Sequence, residues 1–126
     1  MEHLTESQVK RLLDAMEQRE AELRDQVSGE RERAMEMYTQ LEGVAGDEAD
    51  QALTKIRAGI ENELIDRHVR ELAALEAARG RVAEGTFGAC VECGDPIGFG
   101  RLKAYPSAPR CADCQTLREK TFAGTP

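Results

Sequence analysis

The 126-residue chain has no tryptophan and only five aromatic residues, two tyrosines and three phenylalanines. It has no apolar run near the ~20 residues that cross a bilayer, and its start, MEHLTESQVK, lacks the cationic and apolar parts of a signal peptide. A basic excess is also missing, since 24 acidic residues against 17 basic ones give a net charge of −7. These absences argue against a thick globular core, a membrane span and direct DNA binding through phosphate contacts. We therefore expect a cytoplasmic protein.

Charged residues make up 33% of the chain, a proportion that suits long solvated helices. Thr5 and Gln8 have the spacing of a capping box, which predicts that a helix begins there. Beyond them, apolar residues recur at steps of three and four, as in a coiled coil, with Arg19 and Glu30 as interruptions. The members of this first stripe are Val9, Leu12, Met16, Leu23, Val27, Ala34, Met37 and Leu41.

The segment GVAG, residues 43–46, predicts the end of this helix, because glycine adopts the left-handed conformation common after a helix. A second apolar stripe then runs as far as Gly85. It consists of Leu53, Ile56, Ile60, Leu64, His68, Leu72, Leu75 and Val82, with His68 expected to be packed rather than to bind a ligand. The two stripes predict a mostly α fold, a long antiparallel helical hairpin (coiled coil) over residues 1–85 with its tip at residues 43–52.

Gly29 and Gly59 lie at similar distances from this turn, one in each predicted helix. Each lowers helix propensity by about 1 kcal/mol relative to alanine. The two glycines mark either a flexible point in the hairpin or a site where its two helices approach closely. Alternatively, they are two independently tolerated glycines.

Residues 86–120 differ in composition from the hairpin, since they hold three of the four prolines and all four cysteines. Residues 86–126 carry five basic and four acidic side chains, a balance of +1, which leaves −8 for the hairpin. We predict a separate small lobe over residues 86–126, in which QTLREKTF forms a short C-terminal helix.

The four cysteines form two CxxC pairs, Cys90 with Cys93 and Cys111 with Cys114, separated by seventeen residues. Two such turns can complete the tetrahedral four-thiolate shell that zinc accepts. Because four thiolates leave no open coordination position, we predict one structural Zn²⁺ ion on which the lobe depends for folding. A redox role for one CxxC pair is the alternative, but the sequence around it lacks the βαβ pattern of thioredoxin-like proteins.

The run FGACVECGDPIGFGRLKAYPSAPRCADCQTL resembles the zinc finger of the DksA/TraR family of transcription regulators, through the paired CxxC motifs and the CGxxIG and RLxAxP segments. That family also carries a DxxDxA motif at a hairpin tip, and Asp47, Asp50 and Ala52 supply it here. By position alone, Asp47 is a helix N-cap and Asp50 a first-turn acid that complements the helix dipole. The resemblance implies that Asp50 and Ala52 act on a partner. It also implies that Asp47 both caps the second helix and acts on that partner.

The resemblance implies a non-enzymatic regulator that binds RNA polymerase, inserts the tip into the secondary channel and modulates initiation, for example at ribosomal RNA promoters. Such proteins often act with ppGpp in the stringent response, through basic positions that align here with Ala74, Tyr105 and Gln115. The dependence on ppGpp is therefore open. Other cations nearby either substitute for them or are simply solvated, namely Arg67, Arg70, Arg101, Lys103 and Arg110. We also expect a monomer.

Two other functions fit the sequence. The acidic tip could hold Mg²⁺ in the polymerase active site and promote transcript cleavage, since carboxylates are magnesium ligands. Alternatively, the chain is a zinc-dependent adaptor without a polymerase role, or a DNA-binding finger.

Overall fold

The computed structural model describes residues 1–43 and 48–123 and folds them into four helices: α1 (Glu6–Gly43), α2 (Glu48–Glu84), α3 (Phe99–Ala104) and α4 (Ala112–Ala123). Within these ranges, β structure is limited to one isolated antiparallel bridge between Ala89 and Pro96. The predicted mostly α fold is confirmed. No helix in the described part of the chain combines the length and hydropathy that a membrane span requires.

The chain divides into two compact units, one formed by Met1–Arg19 with Ala74–Pro126 and the other by Glu20–Ala73. The unit that contains the cysteines therefore also includes the first part of α1 and the last part of α2. The boundary predicted at Gly85 stays a prediction. We call the two units the cysteine unit and the hairpin unit.

The start of α1 is the predicted capping box. The Thr5 backbone N–H donates to Oε1 of Gln8 at 3.0 Å, and the Gln8 backbone N–H donates to Oγ1 of Thr5 at 3.0 Å. Two N–H groups that a helix end leaves without partners are thus satisfied reciprocally.

The end of α2 is the predicted glycine stop. Gly85 has φ +83°, its N–H donates to the Val82 carbonyl at 3.2 Å, and the Thr86 N–H donates to the Arg81 carbonyl at 2.9 Å. These two bonds form a Schellman motif, in which glycine takes the left-handed position at no steric cost. The chain then leaves α2 towards the cysteines.

The hairpin unit pairs residues of α1 and α2 in antiparallel order. Farther from the turn, Glu30 contacts His68, 38 residues away in sequence. Nearer the turn, Asn62 Nδ2 donates to the Tyr38 hydroxyl over a separation of only 24 residues. Separations that shorten towards the turn are the mark of an antiparallel hairpin. The predicted hairpin is thus confirmed.

The first apolar stripe faces the interior as predicted. Its central members are nearly inaccessible, and the predicted interruption at Glu30 is buried with them at 5% exposure. The buried members are Leu12, Met16, Leu23, Val27 and Ala34.

The prediction that the second apolar stripe faces the interior is wrong for its first half. Leu53, Ile56 and Ile60 are 47%, 60% and 55% exposed, whereas Ala58 and Glu61 are buried. The reason is geometric, because residues two apart lie about 200° around a helix, so Ala58 faces α1 only if Ile56 and Ile60 face away. The hairpin unit therefore packs on a small side chain and a carboxylate rather than on these aliphatic residues.

Gly59 lies in open space. A Cβ built there has no neighbour within 4 Å, and one at Gly29 meets only Nη1 of Arg33 at 3.5 Å, an ordinary contact. The close-approach interpretation is wrong for Gly59.

The N-terminal residues pack within the cysteine unit. Nε2 of His3 lies 2.7 Å from the Ile97 carbonyl oxygen, and a Cβ at Gly88, whose φ is +85°, would be 3.1 Å from both His3 and Leu4. Glycine is therefore required at residue 88 both for conformation and for space. The core of this unit comprises Leu4, Leu12, Met16, Leu75, Ala78, Phe87, Ile97, Leu102 and Ala108.

Two short helices complete this unit. The predicted C-terminal helix exists as α4 but begins at Ala112, earlier than the predicted QTLREKTF. The sequence had not indicated α3, whose Leu102 is fully buried.

Candidate functional site

The four cysteine sulfurs converge on one point. Sγ atoms of Cys90, Cys93, Cys111 and Cys114 all lie within 4.8 Å of one another, and those of Cys93 and Cys111 are 3.8 Å apart. A tetrahedral zinc site with Zn–S bonds of about 2.3 Å places its sulfurs about 3.8 Å apart. A disulfide would need about 2.05 Å, and all four thiols are free.

The first CxxC is held by a tight backbone turn. The Cys90 N–H donates to the Asp95 carbonyl at 2.8 Å, and the Gly94 N–H donates back to the Cys90 carbonyl at 2.9 Å. Gly94 has φ +78°, the left-handed conformation that lets the chain reverse just after Cys93. Gly94 therefore closes the turn that brings Cys90 and Cys93 together.

The second CxxC uses a helix start. Cys111 immediately precedes α4, its carbonyl accepts from the Gln115 N–H at 3.0 Å, and its Sγ accepts from the Cys114 N–H at 3.4 Å. The sulfur thus occupies the place of an N-cap side chain and accepts from one of the first backbone N–H groups of the helix.

One bond joins the two CxxC segments directly: the Val91 N–H donates to the Pro109 carbonyl at 2.9 Å. Side chains add a second link, since Nε of Arg110 lies 3.2 Å from Oε1 of Glu92. A further bond ties α3 to this region, because Nε of Arg101 donates to the Arg110 carbonyl at 3.0 Å. Arg101 and Arg110 therefore have structural partners within the cysteine unit.

The thiols differ in acidity. A hydrogen bond from the Cys93 backbone N–H, which outweighs desolvation, lowers the pKa of Cys90 to about 6. The pKa of Cys114 is raised, first by its hydrogen bond with the Cys111 side chain and then by Cys93. A cluster of sulfurs without a cation thus cannot ionise fully, and a bound dication removes that restriction.

This donor set fits one structural zinc ion. Thiolates are soft ligands, a tetrahedral set of four suits zinc, and a closed shell leaves no position for water or substrate. Cys90 is buried, while Cys93 is exposed and Cys111 and Cys114 are partly exposed. A zinc ion held by these four cysteines would cross-link the Cys90 turn to the start of α4.

The hairpin tip is described only in part. Asp50 and Ala52 lie exposed in the first two turns of α2, and the Asp50 carbonyl accepts from Oγ1 of Thr54 at 2.9 Å. Asp47 falls outside the described residues. Asp50 is exposed, as contact with a partner would require, and its role as a tip effector stays a prediction.

Ala74, Tyr105 and Gln115 align with the basic positions through which family members act with ppGpp. None of the three is a cation here, and all three lie in the cysteine unit. Tyr105 is 46% exposed with the Arg101 guanidinium 5.9 Å from its ring centre, and Nε2 of Gln115 donates to Oε1 of Glu119 at 3.0 Å. Ala74 is partly exposed.

Sequence reasoning missed the exposed aliphatic side chains of α2, Leu53, Ile56 and Ile60. The available signal was a second, more regular stripe on the same helix, with steps of four and three throughout: Thr54, Ala58, Glu61, Ile65, His68, Leu72 and Leu75. It includes the buried Ala58 and Glu61.

Comparison with known families and proteins gives consistent matches. Residues 85–120 match the family described as the prokaryotic dksA/traR C4-type zinc finger. The chain is 31% identical over 129 residues to the RNA polymerase-binding transcription factor DksA of Escherichia coli K12, a match that covers 98% of this chain and 81% of that protein. It is 38% identical over 81 residues to the protein of the same name from Haemophilus influenzae, covering 62% of this chain and 56% of the relative.

A solved structure is also similar. The transcription factor DksA2 from Pseudomonas aeruginosa superposes with a TM-score of 0.77 at 30% identity, over 94% of this chain and 88% of that one. The similarity therefore extends well beyond the cysteine motifs.

Proposed function

The chain belongs to the DksA/TraR family, and from that membership we propose that it binds RNA polymerase and regulates transcription without catalysing a reaction. The observation that carries this proposal is similarity over nearly the whole chain to proteins named RNA polymerase-binding transcription factors. Polymerase as the partner also fits the cytoplasmic location expected from the sequence. The closed four-thiolate shell supports a structural rather than catalytic metal.

We further propose that the hairpin enters the secondary channel and that its tip alters initiation intermediates. Two features support this step. The hairpin unit is an antiparallel helix pair, and Asp50 and Ala52 are exposed where α2 begins. Asp47 belongs to the same proposed tip effector.

The test is binding of the zinc-loaded chain to core RNA polymerase without promoter DNA, followed by transcription in vitro from a ribosomal RNA promoter. We expect a complex of one chain per polymerase and a shortened lifetime of the open complex. Binding to promoter DNA alone, with no binding to polymerase, would instead support a DNA-binding finger. Absence of both would leave a zinc-dependent adaptor.

The same reactions run with and without ppGpp test the nucleotide. We expect ppGpp to change the response little, because Ala74, Tyr105 and Gln115 offer no cation and Arg110 is paired with Glu92. A strong ppGpp effect would show that other basic residues form the site.

The competing function is transcript cleavage with Mg²⁺ at the tip. It draws on two exposed carboxylates in the first turn of α2, Glu48 and Asp50. Stalled elongation complexes incubated with the chain distinguish the two functions. Release of short RNA from the growing end supports cleavage, and intact transcripts support the non-enzymatic regulator.

A further inference from the structure

The outward face of α2 near the tip is apolar. Leu53, Ile56 and Ile60 follow one another at i, i+3 and i+7 and are 47%, 60% and 55% exposed. Ala49 and Ala52, both exposed, extend the same face towards the start of the helix. We call these five residues the outer apolar face.

Among the residues that the structure describes, the packing of α1 against α2 does not use this face. The side of α2 that meets α1 is filled by Ala58 and Glu61, with Glu61 accepting from Nε of Arg33 at 3.0 Å. Three large aliphatic side chains on one side of a helix, all left in water, are typical of a surface that a partner covers.

The border of the face is cationic on one side. Arg57 is four residues from Leu53 and three from Ile60, so its side chain borders both. Beside it lies a groove of about 250 Å³ that Arg57 lines together with Arg33, Glu36, Met37 and Thr54. A partner helix with an apolar stripe would therefore place an acidic side chain at this border.

Charge disfavours a second copy of the chain as the occupant. Residues 1–85 carry twelve basic and twenty acidic side chains, a balance of −8, so two hairpins laid side by side would repel each other. The face instead includes Ala52 and adjoins Asp50, the two residues proposed above to act on polymerase.

We propose that the outer apolar face of α2 binds an amphipathic helix of RNA polymerase that carries an acidic residue opposite Arg57. This inference rests on the proposed function and adds an anchoring surface distinct from the effector carboxylate at the tip. It also separates two roles along α2, in which the aliphatic residues supply affinity and Asp50 supplies the effect.

The experiment measures affinity for core polymerase with a fluorescently labelled chain. The double variant Ile56→Ala/Ile60→Ala should bind at least about tenfold more weakly, because buried aliphatic anchors at an interface centre dominate affinity. Alanine has a higher helix propensity than isoleucine, so the hairpin keeps its helix content, which circular dichroism verifies. Met35→Ala, at a 70% exposed residue of α1, is the matched control and should leave affinity unchanged.

Two charge-reversal variants test the cationic border of the outer apolar face. Arg57→Glu should weaken binding, and Arg31→Glu, which reverses an exposed cation of α1 away from this face, should not. Equal effects of the two reversals would mean that only overall charge matters and would overturn the acidic partner.

The remaining outcomes are distinct. If the wild type binds polymerase and the double alanine variant binds equally well, this inference is overturned while the proposed function stands. If the wild type does not bind polymerase at all, the proposed function fails, and this inference fails with it. If sedimentation shows that the wild type is a dimer and the double variant a monomer, with equal polymerase affinity, the face is a self-association surface and the proposal is wrong.

Discussion

Nδ1 of His68 lies 2.8 Å from Oε1 of Glu30, and only 18% and 7% of the two side chains are exposed. The residues come from opposite helices of the hairpin unit, and both occupy positions that would otherwise hold apolar side chains. A buried polar pair of this kind contributes less to stability than an apolar pair, but it penalises any shift of one helix along the other.

Removing one member of this pair should destabilise the hairpin. His68→Leu leaves the Glu30 carboxylate buried without its partner, and we expect a loss of about 3 kcal/mol in the free energy of unfolding. Urea unfolding followed by circular dichroism measures it. The double variant Glu30→Leu/His68→Leu should recover that loss, because no charge then remains buried. A double variant as unstable as the single one would show that the pair itself holds the helices together.

Filling the open space at Gly59 should stabilise the protein. Gly59→Ala removes backbone entropy from the unfolded chain and meets no atom within 4 Å, so thermal unfolding should show a gain of about 0.5–1 kcal/mol. Gly85→Ala is the contrasting variant and should be destabilising, because its φ of +83° suits glycine. A loss at Gly59 would indicate that the hairpin needs a soft point there.

Zinc should control the folding of the cysteine unit. We expect one zinc ion per chain by metal analysis, and loss of helix signal and of slow amide exchange in that unit after chelation, because its small core depends on the metal. Readdition of zinc should restore both. Cys93→Ser should reproduce the chelated state, since it removes one of four ligands. A fully folded metal-free chain would contradict the structural role.

The effector role of the tip predicts a separation of binding from activity. Asp50→Asn should leave affinity for polymerase nearly unchanged and abolish the effect on open-complex lifetime, because the carboxylate acts after the hairpin is bound. Asp66→Asn, at another exposed aspartate of α2, is the control and should retain both. Parallel loss of affinity and effect in Asp50→Asn would make the tip an anchor.

Features specified by local chemistry could be predicted from the sequence. The capping box of Thr5 and Gln8, the helix stop at Gly85 and the clustering of the cysteines each depend on a few neighbouring residues or on one metal, so spacing alone identifies them. The short helix α3 could not be predicted, because its six residues are held by the burial of Leu102 rather than by propensity.

The sequence-based prediction was wrong about which face of α2 packs against α1. The predicted stripe selected the most apolar residues, although its steps of four from Ile56 to Leu72 drift away from a coiled-coil period. The more regular stripe through Ala58 and Glu61 is the one that packs, because α1 needs a small side chain and Arg33 supplies a partner for the carboxylate. Hydrophobicity alone does not reveal which face of a helix the fold uses.

The placement of the two histidines gives the chain a built-in pair of spectroscopic reporters. His3 belongs to the cysteine unit, where its ring meets the Ile97 carbonyl, and His68 belongs to the hairpin unit, where its ring meets Glu30. The chain has no third histidine to overlap their imidazole resonances. A nuclear magnetic resonance spectrum with two ring signals can therefore follow the integrity of each unit separately, without a label, during metal exchange or polymerase titration.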